Sequence, residues 1–421
     1  MITWADLHPE VAEIFSRPFT EWPCERIDTG LGPVVQPCVA KGQNEEVFVL
    51  GNKGHIIHST DRGKSWALLC QAPPCNPKIP RGYQLAHHVV DGTVDVGGCD
   101  CGGIGVSQSG TLLLVWSMSY NDGRGDRTEQ DESFHKTTWI TRSEDGGRTW
   151  ERTDPFDAES REVTSANQGN VARVTGGGLL VPLLAKPWSR PGRTLSTEQA
   201  RLMATRLYRS DDDGMTWNRS SDFVQRAAEP HILELASDQL IAAIRYQRNK
   251  SPQDPDDFGT AYTRELWGDF AHGKGHWIEP TDVGVRAFQN TAITMSSDTG
   301  RTWSVPKLVT GLLQQSASLV RLSDGTLVMT FGRPGQRFLL SYDGGASWSH
   351  VVYQLHHTGE YARSVVLEDD TILVIHDFGR YMHYRKGDPR LGVIRFKAPA
   401  REEVERHGFF SPREVEKGLR A

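Results

Sequence analysis

The chain has 421 residues, 47 of them basic and 53 acidic, for a formal charge of −6. With no basic run, nucleic acid is excluded as a partner, and no apolar stretch approaches the length of a membrane span. All six cysteines lie before residue 102, which argues for free thiols over a disulfide-stapled scaffold.

Residues 1–33 read as an N-terminal extension. Its opening, "MITWADLHPEVAEIF", has neither a basic segment nor a long apolar core. It is therefore no secretory leader, and a cytoplasmic location is expected unless a leader has been removed. Residues 34–397 then repeat one unit: a short apolar β-rich run, a polar turn and a second such run. The first is "VVQPCVAKGQNEEVFVLGN" (Val34–Asn52), followed by "HSTDRGKSW" (His58–Trp66). His87, His88, Cys99 and Cys101 come next. Zinc could use such ligands, but their spacing matches no standard site, so buried thiols and ordinary histidines are expected, with no metal and no cofactor.

The second unit is "GIGVSQSGTLLLVWSM" (Gly103–Met118), with "RSEDGGRTW" (Arg142–Trp150) after it. The third is "GNVARVTGGGLLVPLLAK" (Gly169–Lys186), with "RSDDDGMTW" (Arg209–Trp217). The fourth, "EPHILELASDQLIAAIR" (Glu229–Arg245), leads to "SSDTGRTW" (Ser296–Trp303). The fifth, "SASLVRLSDGTLVMTFGR" (Ser316–Arg333), leads to "LSYDGGASW" (Leu340–Trp348). The sixth, "ARSVVLEDDTILVIHD" (Ala362–Asp377), has no such nonapeptide. Stretches 120–136, 187–200 and 247–288 are polar and rich in Gly, Pro and Asp, and read as loops. The tail, 398–421, reads as an exposed helix.

The recurrent Ser-x-Asp-x-Gly-x-(Ser/Thr)-Trp is turn chemistry. A short carboxylate accepts backbone N–H groups, glycine tolerates positive φ, and Trp returns the chain to an apolar face. Six antiparallel units of this kind imply an all-β six-bladed β-propeller of four-stranded blades. A strand from the other terminus closing the last blade would account for its missing hairpin.

These hairpins are Asp-boxes, and with six units they make residues Val34–Phe396 resemble the sialidase (neuraminidase) superfamily. The resemblance implies that Asp61, Asp145, Asp212, Asp298 and Asp343 serve structure on the outer rim. The site must lie where inner strands begin and the next strands end, because those positions share one face of the channel. They supply Glu229, Tyr361, Lys186, Arg245, Arg333, His376 and Asp377, a set suited to an anionic or heavily hydroxylated ligand. An arginine at a strand end more commonly meets solvent or an ion pair, and a tyrosine there more commonly packs. Two arginines, a glutamate and a tyrosine in the family's order and intervals favour function.

By that resemblance Tyr361 is the nucleophile, Glu229 activates it, Asp131 is the acid/base, and Arg245 and Arg333 bind the substrate carboxylate. Lys186, His376 and Asp377 would line the wall. The family's first arginine is missing: "CDCGGIGV" stands where it is expected. The implied function is a retaining, exo-acting, sialidase-like glycoside hydrolase on an acidic sugar other than a simple sialoside. Two alternatives stay open, a lyase acting on a uronic acid with a Tyr or His base, and a non-catalytic carbohydrate-binding propeller.

Overall fold

The computed structural model describes residues 19–414 apart from 52–53, 72–83, 86–87, 91–92, 96–98, 122–134, 154–161, 167–168, 188–203, 226, 249–287, 312–313, 333–334, 358–360 and 379–388. It is a six-bladed β-propeller. Blade 1 runs Cys38–Lys41, Val47–Leu50, His55–Ser59 and Ala67–Gln71, from channel to rim. Blade 2 runs Cys99–Val106, Leu112–Asn121, His135–Ser143 and Glu151–Arg152. Blade 3 has a split inner strand, Glu162–Ala166 and Ala172–Arg173, then Leu179–Pro187, Ala204–Ser210 and Asn218–Gln225. Blade 4 runs Ala227–Ala236, Gln239–Arg248, Phe288–Ser296 and Lys307–Leu308. Blade 5 runs Gln315–Arg321, Leu327–Gly332, Gln336–Ser341 and Val352–His356. Blade 6 supplies Ala362–Val366, Ile372–Phe378 and Arg390–Phe396.

The fourth strand of blade 6 is Glu25–Asp28, antiparallel to Arg390–Phe396. The strand expected from the other terminus therefore closes the ring. It comes from residues read as an extension, as does Phe19–Glu21, which adds a parallel strand to the rim of blade 5. Among the described residues the tail is helical over Arg401–His407, where Val404 is fully buried. Beyond it Phe409–Phe410 pairs with Trp348–Ser349, and Arg413–Glu414 pairs with Lys307–Leu308. Both ends thus act as clasps on outer strands, which satisfies edges that would otherwise expose unpaired backbone groups.

Side chains alternate across a strand, so a strand covered on both faces reads as a continuous apolar run. "LLLVW" does this: Leu112, Leu114 and Trp116 pack toward blade 1, while Leu113 and Val115 pack toward blade 3. Six such inter-blade cores, one between each neighbouring pair, carry the ring.

The repeated hairpin satisfies itself. In one copy Ser143 Oγ accepts the Gly147 N–H at 2.7 Å and donates to Asp145 at 2.8 Å. Asp145 accepts the N–H groups of Arg148 and Thr149, each at 2.9 Å, and Trp150 Nε1 donates to the Gly147 carbonyl at 3.1 Å. Gly147 has φ +93°, and a Cβ there would sit 2.8 Å from Leu69 of blade 1. Only glycine fits both the turn and the neighbouring blade. Trp348 is fully buried, whereas Trp66, Trp150, Trp217 and Trp303 are only partly so. The anchor is complete where the C-terminal Phe409–Phe410 strand covers it.

A pH dependence follows. The Thr302 hydroxyl, then its N–H, then the Ser296 hydroxyl hold the Asp298 carboxyl down at about 2. A carboxylate depressed on folding stabilises above its unfolded value, near 4, and that contribution disappears as pH falls through the folded value. Thermal stability is expected to drop between about pH 4 and pH 2. Asp298→Asn should make that acid-side loss shallower, and an identical slope in the variant would refute the hairpin contribution.

Candidate functional site

Three inner strands open on an irregularity at the same end of the channel. The ladder slips between Cys101 and Gly103 in blade 2, between Ala228 and His231 in blade 4, and between Gln315 and Ser318 in blade 5. Glu229 and Ser316 sit in two of these bulges at φ +48° and +61°, and Gln36, just before the inner strand of blade 1, has φ +50°. A non-glycine residue in the left-handed region costs free energy. Bulges re-aim side chains and cluster beside sites. Here they bring Glu229 and Ser316 together: Ser316 Oγ donates to Glu229 Oε2 at 2.8 Å.

Glu229 is 2% exposed, and Nη1 of Arg245, in the adjacent strand Gln239–Arg248, lies 2.5 Å from its Oε1. The paired charge offsets the cost of burying the carboxylate. The Arg245 Nε is buried without a hydrogen-bond partner, so its fork retains a donor. The Tyr361 hydroxyl lies 3.5 Å from Glu229 Oε1 and accepts from Gln36 Nε2 at 2.8 Å. Such contacts are commonly long without substrate. Residues 132 and 325 positions from Tyr361 thus meet at one phenol oxygen. The arrangement can take a proton from the phenol while an amide N–H stabilises negative charge on its oxygen.

Below this cluster, Arg363 is buried and donates from Nη1 to the carbonyls of Ser316, Ala317 and Ala362 at 2.8, 3.3 and 3.0 Å. Burial pushes the Cys38 thiol up to about 11, Arg363 opposing and Glu229 reinforcing the shift. Cys38 is therefore a thiol, not a thiolate nucleophile. Cys24, Cys38 and Cys70 are unbridged.

Glu229, Arg245 and Tyr361, anticipated from their places in three units, converge. His376 and Asp377, expected to line a ligand-binding wall, are buried instead, at 2% and 0% exposure. They lie inside the strand Ile372–Phe378, where His376 pairs with Ala362 and Gly392 and Asp377 pairs with Leu391. Asp377 Oδ1 accepts the Tyr361 N–H at 3.3 Å, and the His376 ring packs 5.6 Å from that of His356. Burial holds the His376 imidazolium down at about 3, so it is neutral. Asp377 thus braces Tyr361 from behind. Lys186 lies in Leu179–Pro187 opposite Val163. Asp131, Arg333 and His87 lie outside the described residues.

Gln36, Ser316 and Arg363 were passed over. The positional rule that selects Glu229 also selects Gln36 and Ser316, and only the preference for charge hid them. At the stretch expected to carry the first arginine, a Cβ on Gly105 would lie 2.3 Å from Val171 Cβ, and one on Gly103 would lie 3.0 Å from Val115. At Gly105 blades 2 and 3 approach too closely for a larger residue, whereas at Gly103 the crowding comes from blade 2's own second strand. Among the described residues no group of three or more His, Cys, Asp or Glu could hold a metal ion, and no helix is long and apolar enough to cross a membrane.

No protein-family model matches the chain, and no curated protein does. Solved structures do match. A Dyadobacter fermentans protein of unknown function aligns over 89% of this chain and 98% of its own, at 16% identity and TM-score 0.57. NanB sialidase from Streptococcus pneumoniae, as a point mutant, aligns over 88% of this chain and 70% of its own, at 14% identity and TM-score 0.55. The Hadza microbial sialidase Hz136 aligns over 88% and 66%, at 14% identity and TM-score 0.54. The chain therefore spans about two thirds of each sialidase, and at these identities the likeness is one of fold. Its architecture is the six-bladed propeller found in sialidases.

Proposed function

We propose that the chain is a retaining, exo-acting glycoside hydrolase of the sialidase type, acting on an acidic sugar with Tyr361 as nucleophile. One observation carries this reading: the Tyr361 hydroxyl stands between the Gln36 amide and the Glu229 carboxylate, with Arg245 on that same carboxylate. A free phenol, with an ordinary pKa of about 10, is a weak nucleophile at neutral pH. Glu229 takes its proton as the oxygen attacks the anomeric carbon, and Gln36 Nε2 steadies the charge that develops. Asp131 protonates the departing oxygen, then draws the proton from the water that cleaves the tyrosyl–sugar bond. A neutral nucleophile avoids repulsion with an anionic sugar. Arg245, Arg333 and Lys186 bind the carboxylate. Asp377 holds the Tyr361 backbone. No cofactor enters.

The acidic group is placed differently from that of a simple sialoside, because no arginine opens the inner strand of blade 2 and the residue reaching Tyr361 from blade 1 is a neutral amide. The test is turnover across a panel of acidic glycans. Release of a reducing sugar from a uronic-acid or other carboxylated glycoside, with weak or no cleavage of a methylumbelliferyl sialoside, is expected. Robust sialoside cleavage would refute the altered specificity. Arg245→Ala should raise KM by about tenfold or more through loss of a charge-assisted contact, and an unchanged KM would remove Arg245 from the binding role.

A further inference from the structure

A cavity occupies the propeller axis at the face opposite the Tyr361 cluster. It measures about 590 Å³ and is lined from all six blades, by the far ends of the inner strands and the turns that follow them. Arg363 lies above it: His231 lines the cavity, and the Arg363 charge acts on His231 as it does on Cys38 and, through carbonyls, on the Ser316 bulge. The cavity is thus separated from the Tyr361 cluster by a buried guanidinium.

Its walls mix apolar and polar side chains, with Asn170, Thr175 and Ser364 among the polar ones. Val39, Val106, Val171, Val320 and Val365, from five blades, line it, each only 5–9% exposed. Its rim is cationic: the lining includes Lys41, Arg173 and Arg321 against one carboxylate, Glu234. Both Glu234 oxygens already accept from Thr175. Lys41 pairs loosely with Glu45 at 3.9 Å, and Glu45 also pairs with Arg62 at 2.8 Å. Arg321 Nη1 donates to the Leu235 carbonyl, a neutral acceptor that leaves the charge uncompensated. Arg173 is exposed and has no ion-pair partner among the described residues.

His231 also lines the cavity. His231 Nδ1 accepts the Leu319 N–H at 3.2 Å. Nδ1 is therefore the acceptor nitrogen, and the proton of the neutral ring sits on Nε2. Burial, with Arg363 reinforcing it, keeps the ring neutral by pulling its pKa down to about 3. A valine-lined cavity beneath a rim of net positive charge suits a particular guest: its body is apolar and its head is an anion held at the rim. The volume falls within the usual range for small-ligand sites, about 300–1,000 Å³.

We propose that this axial cavity is a binding site for a small organic anion with an apolar body, distinct from the site at Tyr361. The probe is hexanoate, measured by titration against the full-length chain, with hexanol and inorganic phosphate as comparisons. Hexanoate is expected to bind more tightly than either, because hexanol lacks the charge and phosphate lacks the body. Arg173→Ala/Arg321→Ala should weaken hexanoate by about tenfold or more while leaving the melting temperature and any turnover of an acidic glycan unchanged. Arg245→Ala, on the other face, should leave hexanoate affinity unchanged. Absence of hexanoate binding, phosphate binding as tightly as hexanoate, or equal affinity in the rim double variant would each overturn the proposal. So would loss confined to Arg245→Ala, which would place the anion in the Tyr361 site. Failure of the glycosidase reading would instead appear as absent turnover with hexanoate binding intact.

Discussion

Tyr361→Phe is expected to abolish turnover, by about a thousandfold or more, while leaving the fold and sugar binding close to wild type. The substitution removes one oxygen. That oxygen accepts from Gln36 and faces Glu229, so losing it costs about 1 kcal/mol in hydrogen bonding. The ring remains packed, since Tyr361 is 2% exposed and its backbone is fixed by Asp377. What is lost is the atom that would bond to the sugar, and an interaction made only in the transition state lowers kcat without raising KM. Steady-state kinetics on the best acidic substrate, with thermal melts alongside, check this. Full activity in the variant would remove Tyr361 from the nucleophile role. A rise in KM with kcat unchanged would make it a binding residue.

Trp348→Ala is expected to cost about 3–5 kcal/mol of stability, the usual range for deleting a fully buried large aromatic. Trp348 has no exposed surface and sits in the core between blades 4 and 5 with Ile241, Ile293, Leu339 and Phe410. Its Nε1 donates to Gly345 at 3.1 Å, so truncation also opens the hairpin that it closes. Trp150→Ala removes the same contact to Gly147 but from a partly exposed position, and should cost markedly less. Chemical denaturation of the two variants side by side tests the difference. Equal losses would mean that the hairpin bond, not burial, sets the contribution of these tryptophans.

The propeller was legible because its signals are local. Each strand–turn–strand unit and each Ser-x-Asp hairpin lies within one short stretch, and five hairpins declare the repeat unaided. The clasps were less legible. Glu25–Asp28 pairs with a strand some 365 residues away, and nothing in "ERID" marks it as the rim of the last blade. "SPREVEKGLR" reads as helix by propensity, yet Arg413–Glu414 is drawn into a ladder by Lys307–Leu308. Tertiary pairing overrode propensity there.

The site divides the same way. Glu229, Arg245 and Tyr361 could be placed because position within a repeat translates directly into position around the axis. Gln36, Ser316 and Arg363 could not, because their importance lies in contacts across blades, and neutral or strand-interior residues carry no compositional flag. His376 and Asp377 behave differently. They close the sixth unit as Arg245 closes the fourth, and both strands run on, to Phe378 and Arg248, yet His376 and Asp377 are buried at 2% and 0% exposure. Place within a unit alone does not tell which of its last residues reach the channel.

The most direct test of the catalytic account is the chemistry of the first product formed from an acidic glycan. Proton NMR during early turnover should show a saturated sugar released with the substrate's own anomeric configuration, as double displacement through Tyr361 requires. An inverted first product would exclude the tyrosyl intermediate. An unsaturated product absorbing in the ultraviolet would make the enzyme a lyase. Binding of the glycan with no product of either kind would make the channel face a carbohydrate-binding surface and nothing more.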